Sequence, residues 1–253
     1  MIIDFNAYLG QWPFRRLPAR TADEVLAIMD RHGITMSAVS SLSSVLYADP
    51  QDGNLELMEE IEKERKRFVP LAVLNPKYPG WESDLDECVS HGFRGIRLYP
   101  QSHDYALTDE ECLKLVSRAS EAGLSVSVPV RLRDGRGRHW MDRARDLKLS
   151  EVEQLARRVP GAKIVLLESR DVSSSPIVEC QNVYFETSSM PSLLGGELAK
   201  LLRSVGASRL VFGSGTPLKY ALPAILKVKL LDGPEEAKEK ILWSNASRLL
   251  GLG

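Results

Sequence analysis

The fold is decided by the stretch Ile2-Ile3-Asp4-Phe5-Asn6-Ala7-Tyr8-Leu9-Gly10, near the start of a chain of 253 residues. An apolar run turns polar within three residues and stops at a glycine. This pattern predicts a first β-strand that carries side chains to its C-terminal end. Because side chains alternate along a strand, Asn6 and Tyr8 are expected to point to the same face.

The rest of the chain alternates short β-branched runs with amphipathic segments. After the first strand, strands are predicted at residues 34–40, 68–74, 93–99, 124–130, 163–167, 182–186 and 209–212. Helices are predicted at residues 22–31, 54–66, 81–90, 108–122, 150–159, 193–205, 217–230 and 234–250. Eight apolar strands, each followed by a helix or loop, favour an α/β fold in which a parallel sheet closes into a (β/α)8 TIM barrel. The length suits a single domain over residues 1–253. An open doubly wound sheet is the alternative, but no glycine-rich phosphate turn follows the first strand.

Composition excludes several classes of partner. The formal net charge is −1, so we expect neither nucleic acid nor a membrane surface as a partner. No apolar run approaches the roughly 18 residues needed to span a bilayer, and no secretory signal is evident. The three cysteines, Cys88, Cys112 and Cys180, lack metal-binding spacing, which is typical of thiols in a reducing compartment. A cytoplasmic location is therefore expected.

Four further stretches carry a family resemblance. They are residues 92–100 (GFRGIRLYP), 182–188 (NVYFETS), 210–214 (LVFGS) and 241–250 (ILWSNASRLL). With the opening stretch, and in the same order, they resemble the amidohydrolase superfamily, in the amidohydrolase-related branch that includes decarboxylases. The resemblance covers nearly the whole chain. It implies a TIM barrel with a catalytic metal at the C-terminal ends of the strands.

The positions that bind the metal in that family carry other residues here. They are Asn6, Tyr8, Pro129, Glu168 and Gly215. Only Glu168 is a strong ligand, whereas catalytic zinc needs about three protein ligands. The sequence therefore predicts that the inherited metal site is lost, and that no metal or other cofactor is used. The alternative is a relocated hard-cation site on Glu168, Glu186 and Asn6.

Arginines are expected at the barrel mouth in place of the metal. By the resemblance, Asn6 holds a metal-ligand position and Arg97 corresponds to the family's lysine in the fourth strand. Strand parity, counted from these family positions, directs further side chains toward the axis. We predict this set to bind substrate: Asn6, Arg97, Tyr99, Arg131, Arg133 and Arg170. Since arginine suits bidentate capture of a carboxylate or phosphate, the hypothesis is a pocket for a small anionic molecule. The alternative is a scaffold in which Arg97 and Arg131 only pair with Glu168 and Glu186.

Candidate catalytic groups lie at the same end of the predicted strands. Glu168, His103 and His139 could supply acid–base chemistry, and Tyr8 could donate a proton or hydrogen bond. His139 lies in the arginine-rich loop 131–148, a candidate lid. The loop 12–15, Trp-Pro-Phe-Arg, is expected to form an aromatic wall of the pocket or a contact between subunits.

Two functions follow from these residues and from the resemblance. The first is a hydrolase or lyase that acts on a small anionic molecule without the family's metal. The second is a non-catalytic relative kept as a ligand-binding or partner subunit, since one barrel hosts many chemistries. Assembly into a homo-oligomer is implied by the resemblance alone.

Overall fold

The computed structural model describes residues 1–133, 137–142, 144–190 and 196–252. The strands are β1 (Ile3–Leu9), β2 (Met36–Ser41), β3 (Phe68–Pro70), β4 (Ala72–Val73), β5 (Gly95–Arg97), β6 (Ser125–Pro129), β7 (Ile164–Leu167), β8 (Val183–Glu186) and β9 (Leu210–Val211). The α-helices are α1 (Ala22–His32), α2 (Pro50–Ile61), α3 (Trp81–Ser90), α4 (Pro100–His103), α5 (Glu110–Glu121), α6 (Leu149–Arg158), α7 (Glu197–Val205), α8 (Ala221–Lys229), α9 (Glu235–Glu239) and α10 (Asn245–Leu250).

All strand pairs are parallel and follow the order of the chain. One sheet runs β1-β2-β3 and the other runs from β4 to β9 in sequence. The two short strands β3 and β4 are parts of the predicted third strand, separated by Leu71. Pro70 has no backbone N–H to donate to a ladder, which weakens pairing at this point. The N–H of Leu71 donates to the carbonyl of Val39 at 2.8 Å, which joins the two sheets.

The first and last strands meet without a continuous ladder. The N–H of Phe5 donates to the carbonyl of Phe212 at 2.9 Å, and that of Tyr8 to the carbonyl of Thr216 at 2.8 Å. With β3 and β4 taken as one strand, the arrangement confirms the predicted (β/α)8 TIM barrel. The C-terminal ends of the strands therefore share one mouth.

Local signals explain the best-predicted helices. In α1, Thr21 accepts from the N–H of Glu24, and the Glu24 carboxylate accepts from the N–H of Thr21, so both ends of a capping box are present. Gly33 ends the helix at φ 69°, a conformation that favours glycine. The predicted bounds of α3 are confirmed.

Other boundaries were predicted less well. Helix α2 begins earlier than predicted, because Asp49 caps it and Pro50 fits its first turn. Ser150 does not cap α6, whose N-cap is Lys148. The predicted last helix is divided by a π-helical segment, Lys240–Ser244, between α9 and α10. Part of the predicted helix 193–205 lies outside the described residues, and α7 begins at Glu197.

The barrel interior holds two apolar layers that position the mouth. Phe5, Val165 and Val211 pack with Leu249 of α10. Nearer the mouth, the cluster contains Tyr8, Trp12, Leu42, Val73, Tyr99 and Leu218. No helix in the described ranges is both long enough and apolar enough to cross a membrane.

Candidate active site

Glu168 is the centre of a buried polar cluster at the end of β7. Its backbone lies in the left-handed region at φ 59°, which is uncommon for a residue with a side chain. The amide of Asn6 donates to its Oε1 at 2.8 Å. The hydroxyls of Ser188 and Ser189 donate to its two oxygens at 3.2 and 2.5 Å. The predicted proximity of Asn6 and Glu168 at the barrel axis is thus observed, although their roles stay predictions.

Lys219 supplies the positive charge in this cluster. Its ammonium pairs with Oε2 of Glu168 and also donates to the hydroxyl of Ser189. The side chain of Lys219 is 32% exposed, whereas that of Glu168 is 3% exposed. The pair therefore reaches from the barrel interior to the solvent-accessible edge of the mouth.

Glu186, the last residue of β8, adds a second carboxylate. It accepts from the amide of Asn6 at 3.3 Å, from the N–H of Glu168 at 3.2 Å and from the hydroxyl of Ser188 at 2.9 Å. The pKa of Glu186 is raised to about 7, chiefly by burial and also by the nearby Glu168, while Lys219 opposes the shift. A carboxyl group with a pKa near 7 can give or take a proton at neutral pH.

Lys227 of α8 holds the loop that carries the two serines. Its ammonium donates to the carbonyls of Thr187, Ser188 and Met190 at 2.8, 2.9 and 2.7 Å. Burial lowers the pKa of Lys227 to about 8. These three bonds fix the backbone of the loop, and with it the serine hydroxyls against Glu168.

Arg97 has surroundings of a different kind, because neutral groups occupy its donors. Its side chain is fully buried, and it donates to the carbonyls of Phe5 and Ala7 at 3.1 and 3.2 Å. It also donates to the hydroxyls of Ser40 and Ser127 at 3.0 and 3.3 Å. The alternative in which Arg97 pairs with Glu168 or Glu186 is not observed, because the cation that contacts Glu168 is Lys219. The predicted substrate contact of Arg97 stays a prediction.

Two predicted tyrosines lie beside Arg97. The guanidinium stands 4.8 Å from the centroid of the Tyr8 ring, within cation–π range. Burial raises the pKa of Tyr8 and Tyr99, so both phenols stay protonated at neutral pH. The ring of His103 lies 6.3 Å from that of Tyr99, and burial lowers the pKa of His103. Neutral His103 is therefore better suited to accept a proton than to act as a cation.

The remaining predicted residues lie in the loops after β6 and β7. Arg131 pairs with Asp146 at 3.2 Å, and not with the glutamates of the expected scaffold. Arg133 donates to the carbonyl of Gly137 at 3.0 Å. His139 stacks on Phe14, with ring centroids 5.5 Å apart. Arg170 is partly exposed after β7. Residues 134–136 and 143 of the proposed lid lie outside the described residues.

Two of the cavities are lined in part by the loop after β1. The larger, about 510 Å³, is lined by Trp12, Phe14, Asn75, His103 and Asp142 among others. Trp12 and Phe14 therefore form an aromatic wall, one of the two expectations for this loop. The second cavity, about 380 Å³, is lined by Arg15, Arg16, Leu17, Pro18, Pro217, Leu218, Lys219 and Tyr220. It brings three cations to the edge of the Glu168 cluster.

Sequence reasoning missed Lys219, Ser188 and Ser189. Lys219 lies four residues after Gly215, beyond the point where strand parity applies. One signal could have found it. Gly215 stands where the family has an aspartate, and Lys219 follows it closely. Such a pattern suggests that one charged group has replaced another.

Comparison with known proteins identifies the family. The family model described as amidohydrolase matches residues 8–252. The chain belongs to the amidohydrolase family. No curated protein matches it.

Solved structures agree with this assignment at the level of the fold. 2,6-Dihydroxybenzoate decarboxylase from Rhizobium is 16% identical, with a TM-score of 0.75 over 99% of this chain and 98% of that one. Dihydroxybenzoic acid decarboxylase from Polaromonas sp. JS666, with bound manganese and 2-nitroresorcinol, is 17% identical, with a TM-score of 0.76 over 99% and 97%. A probable 2-pyrone-4,6-dicarboxylic acid hydrolase from Acinetobacter baumannii, with citric acid bound, is 14% identical, with a TM-score of 0.66 over 99% of both chains.

The side chains at this mouth do not fit a metal of the family's kind. Lys219 contacts the carboxylate of Glu168, and an ammonium repels a divalent ion at the same oxygen. A Cβ atom at Gly215 would lie 2.9 Å from Cδ of Lys219, so the space beside it is filled. Across the described ranges, no group of three or more His, Cys, Asp or Glu side chains is arranged to hold a metal. The absence of metal from the working protein stays a prediction.

Proposed function

We propose that this amidohydrolase-family protein is a hydrolase or lyase that acts on a small carboxylate without the family's metal. The observation that carries the proposal is the Glu168–Lys219 pair, which lies beside a cavity lined by Arg15 and Arg16. A site with three cations at its edge suits an anionic ligand. The names of all three compared proteins specify small carboxylic acids, which supports a carboxylate over a phosphate.

The proposed roles divide between binding and proton transfer. Arg15 and Arg16 hold the carboxylate of the ligand, and Lys219 stabilises negative charge that develops next to it. Glu186, with its pKa near 7, gives or takes the proton.

The second candidate is a binding protein without turnover. It is favoured by one observation: Lys219 and Glu168 already satisfy each other, and Ser189 contacts both. A resting enzyme needs to break this contact, at least partly, before Lys219 meets a substrate. In either case the cavity of about 380 Å³ lies within the usual range for a small-molecule site, roughly 300–1,000 Å³.

Calorimetric titration with benzoate, 2,6-dihydroxybenzoate and citrate tests the binding claim. We expect at least one of them to bind the wild type, and Arg16→Ala to weaken its affinity about tenfold, as the loss of a charge-assisted hydrogen bond does. Arg16 is chosen because Arg15 also donates to the carbonyl of Leu218, at 2.5 Å. Arg118→Ala is the matched control, because this exposed arginine pairs with Asp86 on α3.

Two results would contradict the proposal. One is that none of the carboxylates binds, and the other is that Arg16→Ala behaves like Arg118→Ala. Turnover is tested separately by release of carbon dioxide or hydrolysis products from a panel of such acids. Binding without turnover would select the second candidate.

A further inference from the structure

Two of the five positions at which the family binds its metal border one lysine, and a third contacts the carboxylate that pairs with it. Glu168 pairs directly with the ammonium of Lys219, and Asn6 donates to the same carboxylate at 2.8 Å. The third position, Gly215, borders the stem of the lysine. A Cβ atom built there would lie 2.9 Å from Cδ of Lys219 and 3.1 Å from Oε1 of Glu168. The volume next to Gly215 is thus occupied by the lysine and its partner.

Gly215 is suited to this arrangement for a second reason. Its φ is 73°, in the region that most side chains avoid. Any side chain at position 215 would meet both a strained backbone and the Lys219 stem. Glycine and lysine at these two positions are therefore coupled: the short residue makes room for the long one.

We infer that Lys219 is a built-in replacement for the family's metal, and that its ammonium holds the positive charge that a divalent ion would place beside Glu168. The inference rests on the proposed function in one respect only: it names Lys219 as the group that contacts the negative charge of the substrate. The structural exchange itself, Lys219 against a metal, is independent of which substrate is used.

The replacement restricts the chemistry that this site performs. An ammonium carries one charge and offers donors, so it stabilises a carboxylate or an oxyanion. It offers no open coordination position and cannot lower the pKa of a bound water as a divalent metal does. The site therefore suits reactions in which negative charge develops on the substrate beside Lys219.

Calorimetric titration with Mn²⁺ tests the exchange, with wild type, Lys219→Ala, Gly215→Asp and the double variant compared after treatment with a chelator. We expect wild type and Gly215→Asp to show no binding, because the ammonium repels the ion. Lys219→Ala is expected to bind weakly, and the double variant, with three carboxylates, at least about tenfold more tightly than Lys219→Ala. Lys229→Ala, an exposed lysine on α8, is the control and should match wild type.

Thermal unfolding of Gly215→Asn, Lys219→Ala and the double variant gives a second readout without metal, because asparagine adds no third carboxylate beside Glu168 and Glu186. Asparagine tolerates positive φ better than most residues, so the main obstacle to Gly215→Asn is the Lys219 stem. We expect Gly215→Asn to lower Tm clearly in the wild-type background and much less beside Lys219→Ala. Such non-additivity is what residues in contact show.

Three results would overturn the inference. They are Mn²⁺ binding by wild type as tight as that of the Gly215→Asp/Lys219→Ala variant, a folded variant of this kind without any gain, and an equal fall in Tm from Gly215→Asn in both backgrounds. If the double variant does not fold, Lys219→Ala must still bind Mn²⁺ more tightly than wild type. Carboxylate binding that depends on Arg16, with no gain of metal affinity, would reject this inference and leave the proposed function standing.

Discussion

Arg97 and Lys219 are both cations inside the barrel, but they are held by opposite kinds of group. Arg97 is fully buried, and its donors are bound by backbone carbonyls and serine hydroxyls. Lys219 is 32% exposed and is bound by the carboxylate of Glu168. The first cation ties strands together, whereas the second lies at the edge of a cavity.

The difference teaches how to tell a structural cation from a reactive one in this barrel. Buried carbonyls need a donor, and Arg97 supplies one to residues of β1, with Lys227 doing the same for the loop after β8. A carboxylate partner can instead exchange a cation for a ligand or a proton. We therefore expect substitutions of Arg97 and Lys227 to act on stability, and those of Lys219 to act mainly on binding and chemistry.

The largest effect is expected from Arg97→Met. Two backbone carbonyls and two hydroxyls would lose a charged donor inside the barrel, so we expect the free energy of unfolding to fall by about 3–5 kcal/mol. Urea unfolding at pH 7 measures it. The exposed arginine variant Arg118→Ala should cost less than about 1 kcal/mol. An equal loss in the free energy of unfolding for the two variants would contradict a structural role for Arg97.

An intermediate effect on the free energy of unfolding is expected from the titration of Glu186. Burial raises the pKa of Glu186 from 4.5 to about 7, so the folded protein keeps a proton that the unfolded chain loses. Between about pH 4.5 and 7, the free energy of unfolding of wild type should fall as pH rises, relative to Glu186→Gln. The expected difference is up to about 3 kcal/mol. Parallel pH profiles of the two proteins would contradict it.

The smallest of the three effects is expected from Lys227→Met. The carbonyls of Thr187, Ser188 and Met190 would lose their common donor, although solvent can reach part of this loop. We expect a loss of about 2 kcal/mol in the free energy of unfolding, measured in urea. Lys229→Met on the same helix is the control. No loss beyond that of the control would show that the loop does not depend on this lysine.

Sequence reasoning predicted the barrel because its evidence is local and repeated. Each strand carries its own apolar run, and the alternation of strands and helices limits the topology. The family resemblance also placed Asn6 and Glu168 at the axis, since both lie on or directly after a strand. These positions depend on the direction of one strand, which the sequence fixes locally.

The partners of the charged groups were not predictable in the same way. Arg97 was expected to contact a carboxylate, but carbonyls of β1 and hydroxyls of β2 and β6 surround it. Backbone carbonyls are present at every residue, so the sequence does not show which of them accepts from a given side chain. Lys219 was missed because the loop between Gly215 and α8 sets its direction. Which cation meets Glu168 depends on loop geometry across 51 residues of separation.

The central claim is that a lysine–glutamate pair stands where the family holds a metal. Its most direct test is elemental analysis of the wild-type protein, purified without chelator and in contact with manganese and zinc. The account predicts far less than one equivalent of any transition metal per chain. Close to one equivalent of tightly held manganese, zinc or iron would contradict it.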